Sequence, residues 1–375
     1  MENQKKTEIS MEHFGFIGFG LIGGSIARAL KKNFPACRIT AYNRHIEVLE
    51  QAKADGIVDV VLQEIGPAFS DCDLIFLCAP VETNNENLLR VKPYLGANTV
   101  LTDVGSVKTP IHQAAAKAGL EGRFIGGHPM AGSERIGYAA AKDSLLQNAY
   151  YILTPTEQIP QKTVEEMRDI LSALGALPLI LSYEEHDRIV AGISHLPHVV
   201  AASLVNLVRT ADQGSGMMKQ VAAGGFKDIT RIASSSPEMW EQICLTNGEN
   251  IKELLDLYIR SLEQARELID RKEGDRIYSF FDEARTYRNS FVGSASGPIL
   301  RHFDLTVDIA DEPGALAAIA TLLALASISI KNIGILHNRE YLGGDLRVEF
   351  YDEESKEKAA ALLTARGYEV HRRAE

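Results

Sequence analysis

Phe16-Ile17-Gly18-Phe19-Gly20-Leu21-Ile22-Gly23-Gly24 follows a short apolar stretch, Phe14 to Ile17, and precedes a helix-like stretch, Ser25 to Lys32. In a strand-to-helix context the G-x-G-x-x-G spacing has a physical meaning. The first glycine allows the tight turn, the second lets backbone approach a pyrophosphate, and the third permits close packing of helix on strand. The helix N-terminus supplies free N–H groups and a favourable dipole to the phosphates. Three glycines alone are a weak signal, and the segments downstream must supply the rest of a dinucleotide-binding sheet.

They do so with a regular rhythm. Arg38–Tyr42 reads as the second strand, Asp73–Ala79 as a later one and Thr99–Asp103 as the next, followed by Arg123–Gly127, Tyr150–Leu153 and Pro178–Leu181. Helix-spaced segments, Ile46–Ala54, Asn84–Val91 and Ile111–Ala118, lie between them. Such alternation predicts an α/β fold, a largely parallel sheet with helices on both faces and a ligand crevice at the carboxyl ends of the strands. This Rossmann-type domain is expected over residues 1–182.

From Tyr183 the texture changes. Glu184–Thr210, Met217–Ala223, Pro237–Gly248 and Asn250–Arg271 are periodic with few strand signals, which predicts an all-helical domain over residues 183–288. Ile189 to Val208 is apolar on most faces. Such a helix must be buried, and a subunit interface in a homodimer is the expected cover. The Ser/Gly-rich stretch from Asn289 to Pro298 reads as part of a linker over 289–300. Residues 301–375 then run strand (Phe303–Ile309), helix (Ala315–Leu325), strands (Ser329–Leu336, Asp345–Phe350), helix (Ser355–Arg366) and strand (Tyr368–Arg372). That is the ferredoxin-like order.

The 375 residues suffice for two or three domains, and 45% hydrophobic content supports real cores. With 39 basic against 50 acidic residues, the formal net charge of −11 argues against a nucleic-acid binder. Cys37, Cys72, Cys78 and Cys244 show no C-x-x-C pair, which suits a reducing, cytoplasmic compartment. No signal peptide and no apolar run of membrane-spanning length are apparent, so no membrane partner is expected.

The chemistry-bearing residues cluster at predicted strand ends. Asp103-Val104-Gly105-Ser106-Val107-Lys108 follows one strand, and Gly127-His128-Pro129-Met130-Ala131-Gly132-Ser133-Glu134 follows another. Alcohol oxidation needs a base for the hydroxyl proton, and histidine titrates close to neutrality. His128 is therefore the candidate base, with Ser106 orienting it or, alternatively, capping a helix. The helical region offers His186, His195 and His198; the last two lie across Pro197 without an acidic partner, so no metal site is expected. Lys227, Asp228 and Arg231 form a polar cluster in which an arginine could grip a carboxylate. After the second strand stands Asn43-Arg44 instead of the acidic residue that selects NAD through the ribose, and Arg44 could stack on adenine or meet a 2′-phosphate, favouring NADP.

Taken together, these segments resemble the prephenate/arogenate dehydrogenases of tyrosine biosynthesis, in the form with a C-terminal ACT regulatory domain. The resemblance covers about residues 13–372 and is specific through the joint presence of Gly18-x-Gly20-x-x-Gly23, the Asp103–Lys108 and Gly126–Glu134 segments, Ser194-His195-Leu196-Pro197-His198 and Phe226–Arg231. It implies a homodimer that oxidatively decarboxylates prephenate to 4-hydroxyphenylpyruvate, with NAD as hydride acceptor or NADP in its place. It implies that His128 takes the hydroxyl proton beside Ser106 and that Arg231 holds a substrate carboxylate. Ser133, Glu134, His195, His198 and Lys227 would line the pocket. Gly18, Phe19, Gly20, Leu21, Ile22, Gly23, Asn43, Arg44, Ala79, Pro80 and Ser106 would meet the cofactor. Asp311-Glu312-Pro313-Gly314-Ala315-Leu316 matches the ACT turn, so Asp311, Pro313, Gly314, Ala315 and Leu316 would bind an amino-acid effector, expected to be tyrosine acting by feedback. Arogenate as substrate, another β-hydroxyacid-type dehydrogenase, and a non-catalytic amino-acid sensor are the rival readings.

Overall fold

The computed structural model describes residues 11–132, 135–212, 214–294, 303–310, 312, 314–336 and 343–372, and divides into two compact units, Met1–Ile277 and Tyr278–Glu375. In the first unit, β1 (His13–Ile17), β2 (Arg38–Tyr42), β3 (Val60–Leu62), β4 (Leu74–Leu77), β5 (Val100–Asp103), β6 (Phe124–Pro129), β7 (Tyr150–Pro155) and β8 (Leu177–Ile180) form one sheet. Its order is β3-β2-β1-β4-β5-β6-β7-β8, and β6 with β7 is the antiparallel pair in an otherwise parallel sheet. The chain reverses direction across the sheet at β1, where β2 lies on one side and β4 on the other. That is the switch point at which doubly wound sheets bind dinucleotides.

Helices α1 (Leu21–Asn33), α2 (Ile46–Ala54), α3 (Val81–Val91), α4 (Thr109–Lys117) and α5 (Gln161–Ala173) connect these strands. Both faces of the sheet are covered, which explains why its central strands are uninterrupted apolar runs. In β1 and β4 alternate residues enter different cores. Phe14, Phe16, Leu74 and Phe76 join one cluster, while Ile17, Ile75 and Leu77 join the other. The Phe16 and Phe76 rings stack with centroids 5.0 Å apart. β3 has no counterpart among the expected strands: it is three half-buried residues at the sheet edge, too short to show alternation.

The helical part comprises α6 (Tyr183–Val190), α7 (Leu196–Ala211), α8 (Met217–Val221), α9 (Gly224–Thr230), α10 (Pro237–Thr246), α11 (Gly248–Asp270) and α12 (Gly274–Ser294). Two expectations differ from the structure. The long first helix is broken by a π turn over Ala191–His195. Pro197 cannot donate to the carbonyl four residues earlier, and its ring crowds that turn, so the chain widens just before it. One chain alone does not bury this apolar segment, in keeping with the expectation that its cover comes from outside the chain: Ile193 is 66% and Leu207 63% exposed. By length and composition alone Tyr183–Ala211 is also apolar enough to cross a membrane, although its polar face carries the buried His186, Asp187 and His195. The second difference is in the linker: α12 runs on to Ser294, through the first part of the stretch read as irregular, because nothing from Asn289 to Val292 breaks a helix. The division between units at Ile277 also precedes the expected boundary at 288, within this largely exposed helix.

The second unit holds β9 (Phe303–Ala310), α13 (Ala315–Leu325), β10 (Ile330–Leu336), β11 (Gly343–Phe350), α14 (Glu353–Ala365) and β12 (Val370–Arg372). Its antiparallel sheet, ordered β10-β11-β9-β12, packs Leu305, Val307, Leu346 and Val348 against Ile319, Leu323, Ala359 and Leu363 of the two helices. This is the expected ferredoxin-like, ACT-type arrangement.

Candidate functional site

The glycine loop joins β1 to α1. Gly18 has φ +91°, and a Cβ there would stand 2.8 Å from the Cys78 backbone, so the turn needs glycine on both counts. A Cβ on Gly23 would lie 3.0 Å from the Gly18 carbonyl oxygen, which is the close helix-on-strand approach that the spacing implied. Around Gly20 a Cβ would meet nothing, and α1 begins there without a side-chain cap. Its first N–H groups are therefore available to an anion, and this cradle fits a dinucleotide pyrophosphate. Asn43 commits its amide to the backbone: Oδ1 accepts from Phe19 N at 3.1 Å and Nδ2 donates to the His45 carbonyl at 3.0 Å. It staples the glycine loop to the end of β2, leaving exposed Arg44 as the charged group beside it. Across the loop, Ala79 N donates to Oδ1 of buried Asn84 at 2.9 Å, and Pro80 caps α3.

At the ends of β5 and β6 a buried ion pair organises the backbone. Asp103 and Lys108, each almost fully buried, form a direct salt bridge. The same carboxylate accepts from Gly105 N at 2.8 Å and from Gly127 N at 3.2 Å, while Lys108 Nζ donates to the Gly127 carbonyl at 2.7 Å. Burial pulls the Lys108 pKa down and Asp103 opposes it. Glycine is required in β6 because a Cβ on Gly126 would overlap Thr154 Oγ1 at 2.2 Å, and one on Gly127 the Asp103 carbonyl at 2.5 Å. The next residue is His128, whose position the pair thus fixes.

The helical part reaches the same place through α6. Ser182 and Glu185 form a reciprocal capping box that sets the start of this helix. One turn in, Asp187 Oδ1 accepts from Lys108 N at 2.7 Å and Oδ2 from Thr109 N at 2.8 Å, capping α4 from another element. His186 Nδ1 lies 2.8 Å from Asp187 Oδ1, and His186 Nε2 lies 2.8 Å from His128 Nδ1. Burial pushes the Asp187 carboxyl pKa up, but hydrogen bonds from His186, Thr109 and Lys108 outweigh it and hold the group below its ordinary value. His128 is held well below the usual histidine value by burial and by neighbouring His186, Lys108 and His195. It is thus a neutral imidazole at neutral pH.

Further along, Asn247 Nδ2 donates to the Asp187 carbonyl at 2.8 Å and lies 3.1 Å from His195 Nδ1. A carbonyl only accepts, so the amide orientation is fixed and His195 Nδ1 is the acceptor. His195 Nε2 then carries the proton, and it is buried without a partner among the described residues. Burial pushes the His195 pKa down to about 4. His198 donates from Nδ1 to the Ser194 carbonyl at 2.9 Å and stacks on Trp240 with centroids 3.8 Å apart. Its pKa is lowered by burial and by the charge of Arg231, which opens the 3₁₀ turn after α9 and is exposed. Lys227 is exposed on α9.

The structure therefore brings His128, His195 and His198 together around α6 and α7, with Arg231 beside His198. Ser106 lies half-buried in the loop after β5 but makes no hydrogen bond to His128, so the expected Ser106–His128 hydrogen bond is not made. Ser133 and Glu134 lie outside the described residues, as do Asp311 and Pro313 of the segment expected to bind an effector. Gly314 caps α13 with φ +97°, and Leu316 is 41% exposed. The sequence reading assigned no role to Lys108, Asp187 or Asn247 and gave His186 none beyond its type. Their partners lie 58 to 79 residues away for His186 and Asp187, so no local spacing announces them. Among the described residues, one donor group close enough to share an ion, Asp308, Glu369 and His371, lies exposed in the second unit.

Comparison with known proteins bears on this geometry. The nucleotide-binding domain of prephenate dehydrogenase matches residues 26–178, and the prephenate dehydrogenase dimerization domain matches residues 182–283. A prephenate dehydrogenase of Bacillus subtilis is 37% identical over 370 residues, covering 97% of both chains. The crystal structure of prephenate dehydrogenase from A. aeolicus in complex with hydroxyphenyl propionate and NAD+ superposes with a TM-score of 0.72 at 32% identity, over 76% of this chain and 100% of that one. Synechocystis arogenate dehydrogenase gives a TM-score of 0.68 at 30% identity, over 74% and 99% of the two chains. A buried histidine cluster and a dinucleotide cradle thus sit in one unit of a chain matched over nearly its whole length, and the chain belongs to the prephenate dehydrogenase family.

Proposed function

We propose that the protein oxidatively decarboxylates prephenate to 4-hydroxyphenylpyruvate in tyrosine biosynthesis. The observation that carries this reading is the neutral His128, hydrogen-bonded through Nδ1 at the end of β6, in the fold unit that carries the glycine cradle. NAD+ held in that cradle supplies the hydride acceptor. His128 accepts the ring hydroxyl proton, so that the carbon beneath it can give up hydride as the ketone forms. Loss of the ring carboxylate as CO2 aromatises the product. Arg231 grips a substrate carboxylate, a task for which a planar, always-charged donor fork is suited. His195 Nε2–H, without a partner among the described residues, offers a donor to the substrate, and His198, whose one proton goes to the Ser194 carbonyl, offers Nε2 as an acceptor, with Ser133, Glu134 and Lys227 along the pocket and Ser106 between substrate and nicotinamide.

In this reading residues 1–182 bind nucleotide, 183–288 bind substrate and dimerise, 289–300 link, and 301–375 regulate. Exposed Ile193, Leu207, Leu257 and Leu262 on the helical part support a homodimer that covers them. Tyrosine acts as feedback effector at the turn carrying Asp311, Pro313, Gly314, Ala315 and Leu316. The free cysteines suit the cytoplasm. Arogenate is the second reading, favoured by the similarity to an arogenate dehydrogenase.

Initial rates at ~340 nm, where reduced nicotinamides absorb, with prephenate and arogenate each paired with NAD+ and NADP+, test the proposal. Turnover with prephenate and NAD+ supports it. Turnover with arogenate alone transfers the assignment, and no turnover in any pairing by folded protein removes it.

A further inference from the structure

Asp187 can only accept when ionised, and its Oδ1 stands 2.8 Å from His186 Nδ1, so that nitrogen bears the proton. The other nitrogen of a neutral His186 then has only a lone pair, and it lies 2.8 Å from His128 Nδ1. His128 must fill that gap with its own Nδ1–H. A neutral imidazole carries one proton, so His128 Nε2 is left bare. We propose that His186 and Asp187 are positioning residues that hold His128 in the tautomer whose Nε2 can take the substrate's hydroxyl proton.

Three further features support this chain. Asp187 is anchored from the far side by Lys108 N and Thr109 N at the start of α4, so its carboxylate cannot swing away from His186. That helix N-terminus also favours a negative charge there. His186 is fully buried, which disfavours its cation and with it the reversed hydrogen-bond direction. When His128 accepts a proton, the new imidazolium donates to His186, and the Asp187 charge stabilises it through that ring. The groups acting on His128 from the other elements, Lys108 and His195, contribute no acceptor to Nδ1.

The role of the chain in turnover rests on the proposed reaction, but its geometry does not, so the test separates the two. Full-length protein labelled with nitrogen-15 in its histidine rings is examined by NMR at neutral pH without substrate, with His128 assigned from the His128→Ala spectrum. The expected result is His128 protonated on Nδ1 and bare on Nε2. In His186→Leu the proton moves toward Nε2, the form that free histidine favours. With turnover measured on the productive substrate, kcat then falls roughly 10²-fold or more, as when a histidine base loses its orienting acceptor. KM and NAD+ affinity stay near the wild-type values. His186→Gln, whose amide can accept from His128 and donate to Asp187, restores the tautomer and most of the rate. A merely structural His186 would move neither signal, since the Asp187 cap on α4 survives in both variants. Wild-type His128 protonated on Nε2, or an unchanged tautomer and kcat in His186→Leu, overturns the proposal. The wild-type spectrum decides the tautomer even if His186→Leu fails to fold. Absence of turnover by the wild type overturns the proposed reaction and leaves the tautomer to be read.

Discussion

Lys108 Nζ donates to the carbonyl of Gly127 at 2.7 Å, joining the loop after one central strand to the end of the next, one residue before His128. The same ammonium pairs with Asp103 in full burial. Lys108→Met leaves the carboxylate buried without its counter-charge, and breaking such a pair costs about 3–5 kcal/mol. Urea unfolding should show that loss, and adding Asp103→Asn to Lys108→Met should recover part of it. A loss below ~1 kcal/mol, the scale of an exposed pair, would contradict a structural role for the pair.

His128→Ala should leave NAD+ affinity nearly unchanged and lower kcat by roughly 10²–10⁴-fold, the usual contribution of a positioned general base. Fluorescence titration with the dinucleotide and steady-state rates measure the two quantities separately. Full turnover in the variant removes His128 from the chemistry.

The position of His128 was legible in the sequence because its surroundings are local: glycines on one side, proline on the other, at a strand end. Gly18 and Gly23 announced their packing for the same reason. The residues behind His128 were not legible. His186 and Asp187 are neighbours in sequence, but their meaning comes from partners on β6 and α4 that only the folded sheet brings near. Edge strand β3 escaped because three half-buried residues carry no periodicity. The end of α12 was misread from composition, since serine and glycine after Asn289 do not stop a helix already propagating to Ser294. The second unit's strands were legible because stretches such as Phe303–Ile309 alternate apolar and polar residues with a period of two.

The pH profile of kcat/KM should keep its acid limb below the ordinary histidine range. A base works only when neutral, and burial with nearby His186, Lys108 and His195 keeps His128 neutral well below that range. Rate therefore persists as pH falls, until His128 is protonated. An acid limb at or above about 6.5, the unperturbed histidine value, that vanishes in His128→Ala would refute this.

Stability should also fall on the acid side. His112 is pushed down to about 4 by burial and Lys108, and His195 to about 4 by burial. In the unfolded chain both take up protons near the ordinary value of about 6.5. Their folded-state values are lower, so the stability they allow is complete above about 6.5 and is lost progressively toward pH 4. Thermal midpoints measured across that window should drop, and replacing His112 by glutamine should flatten the slope. A constant midpoint would show that these rings are not buried neutral.

Arg44 gives the last prediction. Asn43 has both ends of its amide on backbone partners, so it has little left to recognise a ribose. The exposed guanidinium beside it is the remaining means of discriminating at that edge of the cradle, and it favours a 2′-phosphate over a bare hydroxyl. Arg44→Ala should therefore weaken NADP+ more than NAD+, by roughly tenfold in the ratio of kcat/KM, the effect of one lost charge-assisted contact of about 1.4 kcal/mol. Arg44→Asp should widen the gap further, since a carboxylate repels the phosphate and accepts from the ribose. Equal losses with both dinucleotides would place Arg44 on the adenine instead, where stacking cannot tell the two apart.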